Sequence, residues 1–250
     1  MRDVPTATFP GPQDAGVASL AAAAEASPFP RLKDATFSDR GQTLLAGIDL
    51  TLRPERTVLM GPNGAGKSLT LRLLQGLIAP EHGRRLAGQG STALVAQRPV
   101  LLRRSVRGNL AHALGLHGVA RSARAERAAA LLAHGGLTTL AERPARRLSG
   151  GEQQRLAFLR ALAGAPAALL LDEPTAHLDP QATAEIERLI AETGLPYLLV
   201  THDIGQARRM ADRVLFLHRG RIVEDAPAAR FFSGPAAPEA RAFVNGDLVL

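Results

Sequence analysis

The segment Gly61-Pro-Asn-Gly-Ala-Gly-Lys-Ser68 constrains this 250-residue chain more than any other part of its sequence. The strand-like run Thr57–Met60 leads directly into it, and Leu69–Leu77 follows with helical spacing. Glycines before a helix let successive backbone N–H groups turn toward a phosphate, and the positive end of the helix adds to the attraction. The order of strand, glycine-rich loop and helix therefore predicts a Walker A phosphate-binding loop.

The loop also supplies the groups that nucleotide phosphates and their metal ion require. Lys67 brings a positive charge to the phosphates, and the Ser68 hydroxyl is a suitable ligand for Mg²⁺. The predicted nucleotide contacts cover the loop and the residue after it: Gly61, Pro62, Asn63, Gly64, Ala65, Gly66, Lys67, Ser68 and Leu69. We therefore expect nucleotide phosphates and magnesium at this loop.

Two adjacent carboxylates follow a second strand-like run. Asp172 and Glu173 come directly after Leu169–Leu171, and ligands of open α/β sheets bind at the carboxyl ends of the strands. Asp172 suits the coordination shell of magnesium. Glu173 suits the water that attacks the terminal phosphate, either as general base or by positioning it. With a phosphate loop in the same chain, the pair predicts a hydrolytic centre rather than a helix cap.

Apolar runs without alternation indicate the fold class. Ala167–Leu171 and Tyr197–Val200 are apolar throughout, which is typical of strands with helices on both faces of the sheet. Val214–Leu217 and Arg221–Val223 flank a short turn and predict a hairpin. The expected fold class is α/β, with a mainly parallel sheet.

Composition shifts predict the domain organisation. Residues 1–30 are rich in Ala, Pro and Gly and show no steady period, which predicts a disordered tail. Residues 31–250 form one domain. Within it an Arg- and Ala-rich region has helical spacing and no strand pattern, so we expect a helical subdomain inserted at approximately residues 103–160.

Composition also narrows the class of protein. The chain is 46% hydrophobic, which suffices for a sizeable core, and it has no cysteine. Its longest apolar run is far short of the roughly 20 residues that span a bilayer. The net charge is +7, and all basic residues except Lys33 and Lys67 are arginines. We interpret this skew as biased codon usage and expect a soluble or peripheral protein that does not bind nucleic acid.

A second helix start with affinity for anions lies at Leu148-Ser149-Gly-Gly-Glu152-Gln-Gln-Arg155. Ser149 and Glu152 have the spacing of a capping box, and an apolar helical face follows. Gly150 and Gly151 cost helix stability but expose backbone N–H groups at a positive helix end. The segment therefore predicts a second anion-binding site.

With these motifs in this order, the chain resembles the ATP-binding cassette (ABC) family from about Leu32 to the C-terminus. The resemblance implies a P-loop NTPase core, a small N-terminal antiparallel β region and the inserted helical subdomain. It implies that the chain binds ATP and Mg²⁺, hydrolyses ATP, and pairs head to tail with a second copy. In such a dimer Ser149, Gly150, Gly151 and Glu152 of one subunit close on the ATP held by Lys67 of the other.

The resemblance also assigns roles to single residues. Gln97, after the apolar run Ala93–Ala96, corresponds to a residue that contacts magnesium and the attacking water while its loop touches a permease. His202 matches a switch histidine that holds the γ-phosphate and Glu173, and Asp179 matches a segment that communicates between the two sites. The expected catalytic residues are Lys67, Gln97, Glu173 and His202, and the expected metal ligands are Ser68, Gln97 and Asp172.

One position departs from the family pattern. An aromatic residue usually stacks on adenine a little before Gly41, and the matching position here is Asp39 or Arg40. Phe37 is displaced by two residues, and we interpret it as a core residue. The guanidinium plane of Arg40 offers another stacking surface.

The resemblance further implies the partners and the transported solute. A cassette without membrane spans implies separate integral-membrane permease subunits, indirectly a substrate-binding protein, and a position on the cytoplasmic face of the inner membrane. Residues 80–97, 97–106 and 201–210 resemble the ATPase subunits of tungstate importers and, less closely, those of phosphate and polar amino-acid importers. One competing class is an exporter cassette, which fused membrane spans would favour. The other is a soluble ABC protein acting on nucleic acid, and the single Walker A loop and the lack of sustained heptads argue against it.

Overall fold

The computed structural model describes residues 27–247. Its larger sheet is built from β3 (Arg56–Met60), β5 (Thr92–Val95), β6 (Ala168–Asp172), β7 (Tyr197–Val200), β8 (Arg213–His218) and β9 (Arg221–Pro227). The strand order is β5-β6-β7-β3-β8-β9, and every pair is parallel except the β8–β9 hairpin. The predicted mainly parallel sheet and the hairpin are confirmed.

A smaller antiparallel sheet precedes and flanks the phosphate loop. It consists of β1 (Arg31–Asp39), β2 (Gln42–Thr51) and β4 (His82–Leu86), in the order β2-β1-β4. This is the small N-terminal antiparallel region that the family resemblance implied.

Both faces of the larger sheet are buried, which explains why its strands are apolar without alternation. In β3, Val58 packs in the core on one face and Leu59 in the core on the other. The neighbouring β8 repeats this arrangement with Val214 and Leu215. Because successive strand residues point to opposite faces, a strand covered on both sides needs an apolar residue at every position.

The helices are α1 (Lys67–Gln75), α2 (Val106–Leu116), α3 (Arg121–His134), α4 (Gly150–Leu162), α5 (Pro180–Glu192), α6 (Ile204–Met210), α7 (Ala228–Ser233) and α8 (Pro238–Asn245). Helices α2, α3 and α4 lie between β5 and β6 in the chain and share a hydrophobic cluster separate from the two beside the sheet. Of the helices in residues 27–247, none combines the length and apolar character needed to cross a membrane.

Two boundaries differ from the sequence predictions. The helix expected at 69–77 ends at Gln75, because Gly76 takes a left-handed conformation (φ 82°) and its N–H bonds back to the helix. Residues 1–26 of the predicted tail lie outside the described residues. Its last part packs against the domain, since Phe29 is only 7% exposed and the Pro28 carbonyl accepts from Gly90 N–H at 3.0 Å. The packed structure therefore begins before residue 31.

Candidate functional site

The loop between β3 and α1 has a backbone that requires glycine. Gly61 has φ 148°, and a Cβ there would lie 2.1 Å from the carbonyl oxygen of Leu217. Gly66 has φ 106°, and a Cβ there would lie 2.5 Å from a methyl carbon of Leu45. Side chains at these positions would force the loop away from the strand end and from β2. The glycines therefore let the loop lie directly on the sheet edge where α1 begins.

Lys67 is held inside this loop. Its Nζ donates hydrogen bonds to the carbonyl oxygens of Gly61 at 2.8 Å and Pro62 at 2.9 Å, and the residue is 6% exposed. Burial lowers the pKa of Lys67, and the nearby carboxylates of Glu173 and Asp172 act in the opposite direction. A bound phosphate would offer Lys67 a full negative charge, whereas the two carbonyl oxygens carry only partial negative charges.

Ser68 and Asp172 meet although 104 residues separate them. The Ser68 hydroxyl donates to Asp172 Oδ1 at 2.9 Å, because α1 starts beside the carboxyl end of β6. Burial raises the pKa of Asp172, and the bond from Ser68 lowers it. Two hard oxygen atoms at this distance, one from a carboxylate, form a donor set suited to Mg²⁺, which retains waters and takes further oxygens from phosphates.

Glu173 lies at the centre of a three-residue contact. Gln97 Nε2 donates to Glu173 Oε2 at 3.1 Å, and His202 Nδ1 lies 3.3 Å from Glu173 Oε1. The three side chains follow β5, β6 and β7, three adjacent strands whose carboxyl ends share one edge. Glu173 has a left-handed backbone (φ 44°), held by a bond from its N–H to the Val200 carbonyl at 3.0 Å. Such strained non-glycine residues concentrate at functional sites.

These residues open onto a cavity of 540 Å³. Gln97, Glu173 and His202 line it, together with Asn63 of the phosphate loop and Thr201. The described structure thus places at one sheet edge the loop, the candidate metal ligands and the candidate catalytic side chains.

The second predicted anion site lies elsewhere. Ser149 Oγ accepts from Glu152 N–H at 3.3 Å while Glu152 Oε2 accepts from Ser149 N–H at 2.7 Å, which confirms the capping box at the start of α4. Gly150, Gly151 and Asp179 join these two residues in lining a separate cavity of 320 Å³. Lys67 is not among the residues that line this cavity.

Asp179 has a structural contact of its own. Its Oδ1 caps α5 by accepting from Ala182 N–H at 2.8 Å. The adjoining residues His177 and Leu178 line both cavities. The segment therefore connects the edge around Glu173 with the cavity around Ser149.

The three candidates for the adenine contact lie in β1 or at the β1–β2 turn. Asp39 and Arg40 are exposed at the β1–β2 turn, where Arg40 is left-handed (φ 49°). Phe37 is partly buried against the core, as its interpretation as a core residue requires. None of the three lines the two cavities above.

Sequence reasoning missed Gln206, which links the candidate catalytic loops. Its Nε2 donates to Thr175 Oγ1 at 2.8 Å and to Glu187 Oε1 at 3.1 Å, and the residue is 1% exposed. Thr175 is two residues after Glu173, and α6, which carries Gln206, starts two residues after His202. A polar residue on the buried face of a short helix was the signal available in the sequence.

Helix α4 is tied to the segment around Gln97 by contacts that the sequence also did not reveal. The buried Gln154 donates from Nε2 to the Ala96 carbonyl at 3.3 Å, and Arg160 donates to the Val100 carbonyl at 2.7 Å. These two hydrogen bonds connect α4 with the backbone on either side of Gln97.

The chain is similar in sequence to known ATP-binding proteins of import systems. The family model described as "ABC transporter" matches residues 45–176, which run from β2 to the segment after Glu173. The phosphate import ATP-binding protein PstB 2 of Natronomonas pharaonis is 38% identical over 237 residues, covering 84% of each chain. The methionine import ATP-binding protein MetN of Xanthomonas campestris is 39% identical over 239 residues, covering 87% of this chain and 71% of the relative.

A solved structure shows the same fold. It is a dimeric ATP-binding cassette in a post-hydrolysis state with ADP and Pi bound. It superposes with a TM-score of 0.70 at 27% identity, covering 80% of this chain and 99% of its own.

Proposed function

We propose a mechanism, a partner and a transported solute for this chain, which belongs to the ABC transporter family and is the ATP-hydrolysing subunit of an import system. The observation that carries the mechanism is the Glu173 carboxylate, which contacts Gln97 and His202. The neighbouring Asp172 accepts a hydrogen bond from Ser68 of the phosphate loop at 2.9 Å. A base held by two polar side chains beside a phosphate loop is the arrangement that ATP hydrolysis needs.

In the proposed reaction, water attacks the γ-phosphorus of ATP. Glu173 accepts a proton from the water as the new oxygen–phosphorus bond forms and the bond to the ADP oxygen breaks. Lys67 neutralises charge on the phosphates, and the backbone N–H groups of the loop bind their oxygens. Gln97 and His202 orient the Glu173 carboxylate, and His202 also holds the γ-phosphate.

Magnesium fits the residues present. Ser68, Asp172 and Gln97 offer oxygen atoms, and Ser68 Oγ already lies 2.9 Å from Asp172 Oδ1. When bound, Mg²⁺ would stabilise charge on the phosphates.

A second copy completes the proposed site. The cavity lined by Ser149 and Asp179 is separate from the one lined by Glu173 within one chain. The positive helix start at Ser149–Glu152 then meets ATP bound to Lys67 of the other copy, with Asp179 connecting the two sites. The dimeric form of the structural relative supports this arrangement.

The proposed solute is tungstate, imported through separate permease subunits with a substrate-binding protein upstream, the ATPase lying on the cytoplasmic face of the membrane. The likeness of residues 97–106 and 201–210 to tungstate-importer ATPases supports it. Phosphate is the second candidate, because PstB 2, named for phosphate import, is 38% identical. Both solutes are tetrahedral oxyanions. A methionine relative at 39% identity supports an amino acid as a further alternative.

Uptake and hydrolysis are tested together with Glu173→Gln, which leaves ATP binding intact but removes the general base. We expect ATP hydrolysis to fall by about 10² to 10⁴-fold. Cells lacking the gene, rescued with wild type or Glu173→Gln, are compared for tungsten and molybdenum by elemental mass spectrometry and for phosphate and methionine uptake. Restoration of tungsten by wild type alone supports both proposals. Hydrolysis at the wild-type rate by Glu173→Gln contradicts the mechanism, and unchanged tungsten in all strains contradicts the solute.

A further inference from the structure

A cavity of 290 Å³ lies between the small sheet and the β8–β9 hairpin, and it is here called the inter-sheet cavity. Its residues line neither the cavity around Glu173 nor the one around Ser149. Arg213, which lines it, is the first residue of β8 and pairs with Thr57 near the start of β3, whereas the phosphate loop follows the end of β3. The inter-sheet cavity is therefore remote from the residues of ATP hydrolysis. Its charged lining residues are Arg31, Lys33, Asp49, Arg53, Arg213 and Asp225.

Cations outnumber carboxylates in this lining by four to two. Two of the cations are already paired with carboxylates. Arg53 lies 3.8 Å from Glu55, while Arg213 pairs with Asp225 and lies 3.5 Å from Glu55. These pairs connect β8 with β9 and with the segment before β3, and they leave the charge of the other two cations unbalanced.

Arg31 and Lys33 are those two cations, and neither has an ion pair in the part of the chain that the structure describes. They are two residues apart in β1, so both side chains point to the same face of the strand. The Nε of Arg31 is buried and has no hydrogen-bond partner within residues 27–247. The remaining carboxylate, Asp49, accepts from Asp34 N–H at 3.0 Å. A buried donor without a partner indicates an acceptor from outside the chain.

We propose that the inter-sheet cavity binds a tetrahedral oxyanion with two negative charges, held by Arg31 and Lys33. A guanidinium group can donate two parallel hydrogen bonds to an oxyanion, and the ammonium group of lysine binds it as a point charge. Two negative charges match the two cations that lack a carboxylate. The inference does not rest on the proposed function, because the cavity shares no residue with the proposed hydrolytic site.

The size and lining of the cavity favour a small ion over a nucleotide. Its 290 Å³ lies at the lower limit of pockets that hold drug-sized ligands, about 300–1,000 Å³. Its lining contains no aromatic side chain on which a base could stack. Tungstate and hydrogen phosphate both have the charge and the shape that the cavity requires. The first is the proposed solute, and the second is a product of ATP hydrolysis.

The test uses the full chain carrying Lys67→Ala, which weakens anion binding at the phosphate loop. The protein is dialysed to equilibrium against tungstate, and separately against phosphate, at constant ionic strength in chloride. Elemental mass spectrometry measures the bound ion. We expect saturable binding of about one ion per chain. Arg31→Gln with Lys33→Gln should weaken binding about tenfold or more, because two charged donors are lost.

Two further variants separate the site from net charge and from the stability of the fold. Arg127→Gln with Arg230→Gln removes the same charge from exposed positions in α3 and α7, and binding should stay within about twofold. Lys33→Gln alone changes an exposed residue on which folding does not depend, and it should weaken binding about threefold or more.

Three results would overturn the proposal: no saturable binding of either ion, equal weakening by the two double variants, or unchanged binding in Lys33→Gln. Equal weakening would mean that the ions respond only to net charge. Tighter binding of tungstate would identify the proposed solute as the ligand, tighter binding of phosphate would identify the product of hydrolysis, and either result supports the site. Because binding is measured without ATP, failure of the proposed function would leave this result unaffected.

Discussion

At the residue scale, the candidate site depends on contacts that join residues distant in sequence. Glu173 reaches Gln97 and His202 because three parallel strands end at one edge, and its left-handed backbone turns the side chain there. Gln206 reinforces this arrangement, since it joins the loop after Glu173 to the helix after His202. Positioning of this kind contributes to catalysis by keeping reacting groups in the productive geometry.

Gln206→Leu tests this positioning role. We expect kcat for ATP hydrolysis to fall by about tenfold with KM nearly unchanged, because the variant disturbs the proposed base Glu173 and not the phosphate loop. The loss of both donated bonds should also lower the free energy of unfolding by about 1–3 kcal/mol. Gln89→Leu is the matched control, since Gln89 is exposed and lines neither the Glu173 cavity nor the Ser149 cavity. A stability loss with no change in kcat would show that Gln206 is only structural.

The residues of the candidate site could be proposed from the sequence, whereas most of their contacts could not. The phosphate loop and Asp172 were predictable because local chemistry, glycines before a helix or a carboxylate after a buried strand, carries the signal. Gln97 and His202 needed the family resemblance, since a single polar residue after a strand has little meaning alone. Gln206 and Gln154 were missed because their importance depends on which distant backbone or side chain lies opposite.

At the element scale, the helix starts show how one local device serves different purposes. Ser105 caps α2 and Ser149 caps α4, each through a hydroxyl that accepts from the N–H three residues on. Ser149 lines a cavity together with Gly150, which is exposed, and Gly151, which is partly exposed. The two serines are therefore a matched pair for separating stability from function.

Three substitutions make this separation. Ser149→Ala and Ser105→Ala should each lower the free energy of unfolding by about 1 kcal/mol, because each removes a cap. Ser149→Asp retains a capping side chain but places a negative charge where the second copy's phosphate would lie, so it should keep its stability and lose about 100-fold or more in hydrolysis. Chemical denaturation and an ATPase assay measure both quantities. Full hydrolysis by Ser149→Asp would contradict the role of the second helix start.

The link between the two sheets gives a prediction about pH. Arg213, buried in β8, bonds through Nε to Asp225 Oδ1 of β9 at 2.6 Å and through another nitrogen to the Thr51 carbonyl of β2 at 3.2 Å. Hydrogen bonds from Arg213 lower the pKa of Asp225. The ionised carboxylate therefore stabilises the fold above its unfolded-state pKa, and this contribution is lost as the pH falls through the lowered folded-state value.

Asp225→Asn should accordingly destabilise the protein at neutral pH by about 1–2 kcal/mol, a reduced figure because Asp225 is partly exposed and Glu55 remains near Arg213. The difference from wild type should shrink as the pH falls through the lowered folded-state pKa of Asp225, where the wild-type carboxylate becomes neutral as well. Denaturation curves across pH measure it. Glu126→Gln, exposed and without an ion pair in the described residues, is the control. A difference that is constant with pH would show that charge is not the cause.

At the scale of the whole molecule, fold class was predictable and the relation between the two cavities was not. Apolar runs covered by helices on both faces require an α/β sheet, whatever the details of packing. The separation of the Ser149 cavity from the Glu173 cavity appears only when the helical subdomain is placed beside the sheet. That separation is the physical reason to consider two copies rather than one.

Mixing two inactive variants tests whether the copies share their sites. Lys67→Ala lacks the phosphate-loop cation, and Ser149→Asp lacks a functional second helix start, so each alone should hydrolyse almost no ATP. In a mixed dimer one site combines Lys67 from one copy with Ser149 from the other, while the opposite site carries both changes. With random pairing in an equal mixture, activity should return to about a quarter of the wild-type rate if the intact site works independently. No recovery, despite mixed dimers detected by differently tagged chains, would mean that Lys67 and Ser149 do not form an independently working site between two copies.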